Sequence, residues 1–142
     1  MSINLQNSHL KDDIENFHSL AGLRVLVVDD DTDSCVLTSF FLETCGALVM
    51  TATSAFEALQ ALKQFKPDIL ISDIAMPEVD GYSLIRKLRA FDIPLKTIPA
   101  IALTGMSLQE GGVLAFKSGF QAYFVKPFDI ENLVTEIVKL LK

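Results

Sequence analysis

Residues 25–34 read VLVVDDDTDS, an apolar run that ends in four aspartates within five positions. Three chemistries fit so much negative charge behind so apolar a stretch. Asp29, Asp31 and Asp33 could open a calcium loop of the EF-hand type. Asp29 and Asp31 could be the paired aspartates of a phosphatase that uses a carboxylate nucleophile. Alternatively, two of the aspartates form one wall of a magnesium pocket completed by residues far along the chain.

The ends of the other apolar runs help to choose. DILISD (68–73) closes on Asp73 and is followed by Met76-Pro77 and Asp80-Gly81. IPAIAL (98–103) is followed by Thr104-Gly105, and QAYFV (121–125) by Lys126-Pro127-Phe128. ALVMTA (47–52) ends in nothing ionisable, as suits an edge strand away from a cleft. Carboxylates gathered at one place repel unless a cation joins them. Hard oxygen ligands without Cys or His select Mg²⁺, with Mn²⁺ as a substitute, over zinc. An ammonium and a hydroxyl beside such an ion suit an incoming phosphate, so the set describes phosphoryl transfer to an aspartate.

The competing readings meet specific obstacles. An EF-hand would place Ser34 where the loop needs Gly and Phe40 where it needs Glu. A phosphatase of the haloacid-dehalogenase type wants Thr or Val two residues after its second aspartate, where Asp33 stands, and no acidic pair follows the fourth apolar run.

These residues need elements to position them. From residue 23 onward, five short apolar runs (24–29, 47–52, 68–73, 98–103 and 121–125) alternate with helical segments. Most runs are apolar on both faces, which is how buried strands of a parallel sheet read. Ser54 with Glu57 and Ser107 with Glu110 are capping-box pairs, and Gly46 and Gly119 close helices. Asp33 is the expected cap of the first helix, with Asp31 at the cleft rim and off the metal. Ile130, Leu133, Val134, Ile137, Leu140 and Leu141 form one apolar stripe of a last helix. Gly111-Gly112 near the start of the fourth helix predicts a marginal helix that rearranges on phosphorylation. The fold class is α/β, a doubly wound five-stranded parallel sheet with five helices and ligands beyond the carboxyl ends of the strands.

VVDDD (27–31), LISDIAMPEVDGYSLI (70–85), ALTG (102–105) and AYFVKPF (122–128), in this order and spacing, resemble the receiver domain of two-component response regulators. The resemblance covers residues 23–142 and implies a flavodoxin-like strand order 2-1-3-4-5. It implies Asp73 as phosphoacceptor, Asp30 as a direct Mg²⁺ ligand, Asp29 as a ligand largely through water, and the backbone carbonyl of Ala75 as a further ligand. Thr104 and Lys126 would contact the phosphoryl group. Tyr123 would be the aromatic switch, turning into space that Thr104 vacates, and Lys126-Pro127 a candidate cis peptide. The implied partners are a sensor histidine kinase or a histidine phosphotransfer protein, and a downstream protein target. The implied state is a monomer or a phosphorylation-dependent dimer. A receiver-like module that works without phosphorylation is the alternative, and the complete pocket argues against it.

The chain has 142 residues, half of them apolar, a net charge of −6 and a sequence pI near 4.8. That balance excludes the clustered Lys and Arg of a nucleic-acid surface. No apolar run reaches the ~18 residues of a membrane span, and no signal peptide is evident, so a cytoplasmic protein is expected. Cys35 and Cys45 fit that compartment as reduced thiols, about 15 Å apart along one predicted helix. Residues 1–22 read as an N-terminal extension in which Leu10, Ile14 and Phe17 share one side of a possible helix, with His9 and His18 away from the cleft. No output domain is expected after the last predicted helix. A stand-alone receiver is expected from the Met1 start and the leader, although LAGLRVLVVDDD and GFQAYFVKP also resemble receivers of hybrid kinases.

Overall fold

The computed structural model describes residues 19–91 and 95–141. The expected helix through Leu10, Ile14 and Phe17, and both histidines, lie outside the described residues. Five strands are present: β1 (Arg24–Val28), β2 (Leu48–Ala52), β3 (Ile69–Ser72), β4 (Ala100–Thr104) and β5 (Ala122–Val125). Between and after them run α1 (Thr32–Thr44), α2 (Ala55–Phe65), α3 (Gly81–Arg89), α4 (Leu108–Ser118) and α5 (Ile130–Leu141), with a 3₁₀ turn at Leu95–Thr97. All neighbouring strands pair in parallel, in the order β2-β1-β3-β4-β5. This is the expected doubly wound, flavodoxin-like architecture.

Successive strand residues point to opposite faces, and each face has its own core. Leu26, Val28, Leu70, Ala100 and Ala102 pack with Ala58, Leu62, Leu84, Ile85, Leu88 and Ala115 of α2, α3 and α4. Val25, Val27, Ile69, Ile71, Ile101 and Leu103 pack with Leu42, Leu133, Val134 and Ile137 of α1 and α5. Covering both faces makes β3 and β4 buried along their whole length. β2 departs from that pattern. It lies at the sheet edge, and Leu48 and Met50 remain 53% and 38% exposed.

The helix starts follow from side chains that satisfy unpaired backbone N–H groups. Asp31, rather than Asp33, caps α1: its Oδ1 accepts from Asp33 N at 3.1 Å and its Oδ2 from the Ser34 hydroxyl at 3.1 Å. The cap moves two residues toward β1 because Asp29 Oδ1 accepts from Asp31 N and turns the chain there. Asp33 instead sits in the first turn, where a carboxylate still suits the helix dipole. Ser107 and Glu110 form a full capping box on α4. At α2 only half of the expected box forms. Ser54 accepts from Glu57 N, but the Glu57 carboxylate bonds the Thr53 N–H and hydroxyl.

At the N-terminal ends of the strands, Arg89 ties the loops together. Its guanidinium donates to the carbonyls of Lys96, Ile98 and Gly119 and to the Gln121 side chain. Gln121 in turn accepts from Ala100 N. This clamp sets the start of β4 and β5.

Candidate functional site

The strand order places β1 beside β3 and β3 beside β4, so their carboxyl ends open on one cleft. Asp29 follows β1 directly and is 3% exposed, and its amide donates to the Ala52 carbonyl. Asp73 follows β3, is 8% exposed, and donates its amide to the Val28 carbonyl. That bond fixes the two aspartates side by side. One carboxylate oxygen from each of Asp29, Asp30 and Asp73 lies within 4.8 Å of the other two. Asp30 is the exposed member at the mouth.

Each carboxylate is oriented by the backbone around it. Asp29 Oδ1 accepts from Asp31 N at 2.9 Å. Asp73 Oδ1 accepts from Ile74 N at 2.6 Å and Ala75 N at 3.3 Å, which anchors the loop carrying Ala75. Gly81 is needed for that loop. A Cβ there would lie 2.8 Å from Ile74 Cα and closer still to the Asp73 carbonyl oxygen. The Asp80-Gly81 pair therefore caps α3 and lets its first turn rest on the Asp73 backbone.

Lys126 arrives from β5, 97 positions after Asp29. Its amide donates to the Thr104 carbonyl at 2.8 Å, the last rung between β4 and β5. Its Nζ donates to Asp29 Oδ2 at 2.5 Å and to Asp73 Oδ2 at 3.4 Å. The Lys126-Pro127 peptide is cis. Thr104 is 1% exposed, and its Oγ1 accepts from Met106 N at 3.3 Å.

The electrostatics follow from burial and from this pairing. Burial pushes the Asp29 carboxyl above its ordinary value, although Lys126 and the Asp31 amide pull the other way. Burial alone would lower the Lys126 ammonium. The bond to Asp29 and the charges of Asp73 and Asp29 outweigh it and hold the ammonium above its usual range. The ion-paired form is favoured because Lys126 faces two carboxylates at once. Cys35, beneath Asp29, is held as a thiol by burial first and by the Asp29 charge second.

A cluster of oxygen donors with no Cys or His fits a hard divalent cation. Asp31 and Asp33 are not part of it, as expected for Asp31. The expected residues Asp29, Asp30, Asp73, Thr104 and Lys126 all line one end of the sheet, and Ala75 lies on the adjoining loop.

Tyr123, the expected switch residue, is held by the loop that follows Thr104. Its hydroxyl already lies on the carbonyls of Met106 (2.9 Å) and Ser107 (3.2 Å), with Thr104 still bonded to Met106 N. Sequence reasoning missed its neighbour Tyr82, whose hydroxyl reaches the Gly111 carbonyl at 3.2 Å. The only signal for it was the Gly111-Gly112 pair.

The receiver-domain family model of response regulators matches residues 25–138. The chain belongs to the response regulator receiver family. The receiver is 45% identical over 117 residues to the "Uncharacterized 14.6 kDa protein in sodA1 3'region" of Leptolyngbya boryana, covering 82% of this chain and 88% of that one. It is 37% identical over 119 residues to the transcriptional regulatory protein PrrA of Mycobacterium tuberculosis, covering 84% of the receiver and only 50% of PrrA. Among solved structures it resembles a response regulator from Chloroflexus aurantiacus, with TM-score 0.77, 33% identity and coverage of 84% and 97%. The chemotaxis response regulator CheY4 of Vibrio cholerae follows, with TM-score 0.75, 29% identity and coverage of 85% and 98%. Receivers are signalling domains of two-component systems, and this one carries the acidic cluster that suits a phosphoacceptor. No helix among the described residues is long and apolar enough to cross a membrane.

Proposed function

We propose that this receiver accepts a phosphoryl group on Asp73 from the phosphohistidine of a sensor histidine kinase or a histidine phosphotransfer protein. The observation that carries the reading is the convergence of Asp29, Asp30, Asp73, Thr104 and Lys126 from four strand ends on one cleft. Asp29, Asp30 and Asp73, with the Ala75 carbonyl, would hold Mg²⁺ or Mn²⁺. Bound there, the ion supplies positive charge to the phosphoryl oxygens.

An Asp73 carboxylate oxygen attacks phosphorus, the P–N bond of the donor breaks, and the imidazole leaves with the electron pair and takes up a proton from solvent. The chain's residues orient and neutralise. Ile74 N and Ala75 N fix the Asp73 carboxylate, Lys126 offsets charge on the transferred group, and the Thr104 hydroxyl donates to one of its oxygens. Phosphorylation adds charge and acceptor oxygens at the cleft, a local change that can bias Thr104 and Tyr123 toward a second arrangement. A groove lined by Leu37, Phe41, Lys126, Pro127 and Phe128 adjoins the cleft and suits the donor protein. The receiver unit is residues 23–142, with 1–22 as an extension. The protein is cytoplasmic, a monomer or phosphorylation-dependent dimer that acts on a downstream protein target.

Acetyl phosphate with Mg²⁺ tests the reading. Wild type should form a stoichiometric, hydroxylamine-labile adduct, and Asp73→Asn should form none. Equal labelling of both proteins, or no adduct on wild type, removes the proposal.

A further inference from the structure

Three side chains, from α3, β5 and the loop between β4 and α4, use the space left by one missing methyl group. A Cβ built on Gly111 would lie 2.5 Å from the Tyr123 hydroxyl, 2.6 Å from Met106 Sδ and 3.0 Å from the Tyr82 hydroxyl. Glycine is disfavoured in a helix interior, so its presence in α4 calls for such a reason. Its neighbour differs, since a Cβ on Gly112 would meet only the Leu108 side chain, which is 55% exposed and free to move.

The two hydroxyls grip one helical turn at both ends. The first turn of α4 closes when Gly111 N donates to the Ser107 carbonyl at 3.0 Å. Tyr123 lies on that same Ser107 carbonyl at 3.2 Å, and Tyr82 donates to the Gly111 carbonyl at 3.2 Å. Met106 joins the turn to the cleft. Its N–H donates to Thr104 Oγ1, its carbonyl accepts from Tyr123, and its sulfur lies 3.6 Å from the Tyr82 hydroxyl.

We propose that Gly111 is the seat of a two-tyrosine latch, in which Tyr82 acts as a positioning residue that ties the first turn of α4 to Tyr123. Tyr123 cannot leave its seat without disturbing the Met106 backbone and the turn that Tyr82 holds. The link from this latch to the cleft rests on the phosphoacceptor reading, since it needs a phosphoryl group to draw the Thr104 hydroxyl from Met106 N. The contacts of the latch itself involve no phosphoryl group.

The chain has two tyrosines and no tryptophan, so selective ¹³C-tyrosine labelling gives two ring signals, both from the latch. Gly111→Ala should shift both signals, with Tyr123 moving toward the position of a solvent-exposed tyrosine. It should also speed amide exchange over 107–112, although alanine favours the helix. Gly112→Ala, the matched control, should slow that exchange and leave the tyrosine signals in place. Tyr82→Phe should speed exchange over the same turn by roughly two- to tenfold, the worth of one net hydrogen bond. Its labelling of Asp73 should proceed at the wild-type rate. On wild type, acetyl phosphate with Mg²⁺ should change the Tyr123 signal and α4 exchange together, and in Tyr82→Phe only the Tyr123 signal should respond. Tyrosine signals unmoved by Gly111→Ala, or exchange that responds alike to the two alanine variants, would overturn the latch. If wild type takes no label at Asp73, the phosphoacceptor reading falls, and the comparison of the two alanine variants still decides the latch.

Discussion

Replacing Lys126 by Met removes the ammonium that faces two buried carboxylates while keeping most of the apolar stem. Asp29 and Asp73 are 3% and 8% exposed, so neither can recover full hydration when its partner is lost. Carboxylate oxygens of the cluster lie within 4.8 Å of one another. At such a separation two unit charges repel by about 3 kcal/mol at an effective dielectric constant of ~20. Removing one partner of a buried pair costs about 3–5 kcal/mol, and the Lys126 side chain is 23% exposed, which favours the lower end. The expected loss at pH 7 without metal is therefore about 3 kcal/mol. With a urea slope of ~2 kcal/mol/M, the unfolding midpoint falls by about 1.5 M.

The pH dependence has a definite sign. Burial already raises the Asp29 carboxyl above its ordinary 3.8, and removal of the ammonium raises it further. A raised carboxyl costs stability above its folded pKa and costs nothing below its unfolded one. The difference between Lys126→Met and wild type should thus shrink as pH falls from 7 toward 4. Mg²⁺ should shrink it too, because a cation bound by the native cluster neutralises the same charges and stabilises by mass action, about 2.7 kcal/mol at a hundredfold excess over Kd. Urea titrations of both proteins at two pH values, with Mg²⁺ and with EDTA, supply the test. A deficit indifferent to pH and to Mg²⁺ would mean that Lys126 contributes only the packing of its stem, and the electrostatic account of the cleft would be refuted.

Two further outcomes follow from the scaffold. Gly81→Ala should cost about 1–3 kcal/mol, because the new methyl meets the backbone of Asp73 and Ile74 rather than a movable side chain. It should also slow labelling of Asp73, measurable in the same acetyl phosphate assay. Arg89→Met should lower the urea midpoint by the equivalent of about 2–3 kcal/mol, since the carbonyls of Ile98 and Gly119 lose a charged donor. Its labelling of Asp73 should be unchanged when measured well below the unfolding transition, because the clamp lies at the opposite end of the sheet.

Much of the site was legible because parallel α/β proteins place function at strand ends. Reading the residue after each apolar run is enough to find Asp29, Asp73, Thr104 and Lys126. The limits of such reading show at Asp31 and Asp33. Either carboxylate suits a helix start, and local preference cannot separate them. The Asp29 side chain decides by holding Asp31 N, a consequence of where β1 ends. Glu57 is a similar case, since its carboxylate can reach more than one orphan N–H and takes that of Thr53.

Alternating apolar runs, caps and the positions of acidic and basic residues are local properties, and for them the linear order of this chain was sufficient. It determined the doubly wound class, the placement of ionisable groups after strands, and the family resemblance. Tertiary structure decided what depends on proximity between distant segments. Sheet order made β2 an edge with exposed Leu48 and Met50, and set Asp29 against Asp73 and Lys126 against both. It also explained Gly111, whose reason is the hydroxyls of Tyr82 and Tyr123 in the space beside it. A residue's type is visible alone, whereas the room it leaves becomes visible only once its neighbours are in place.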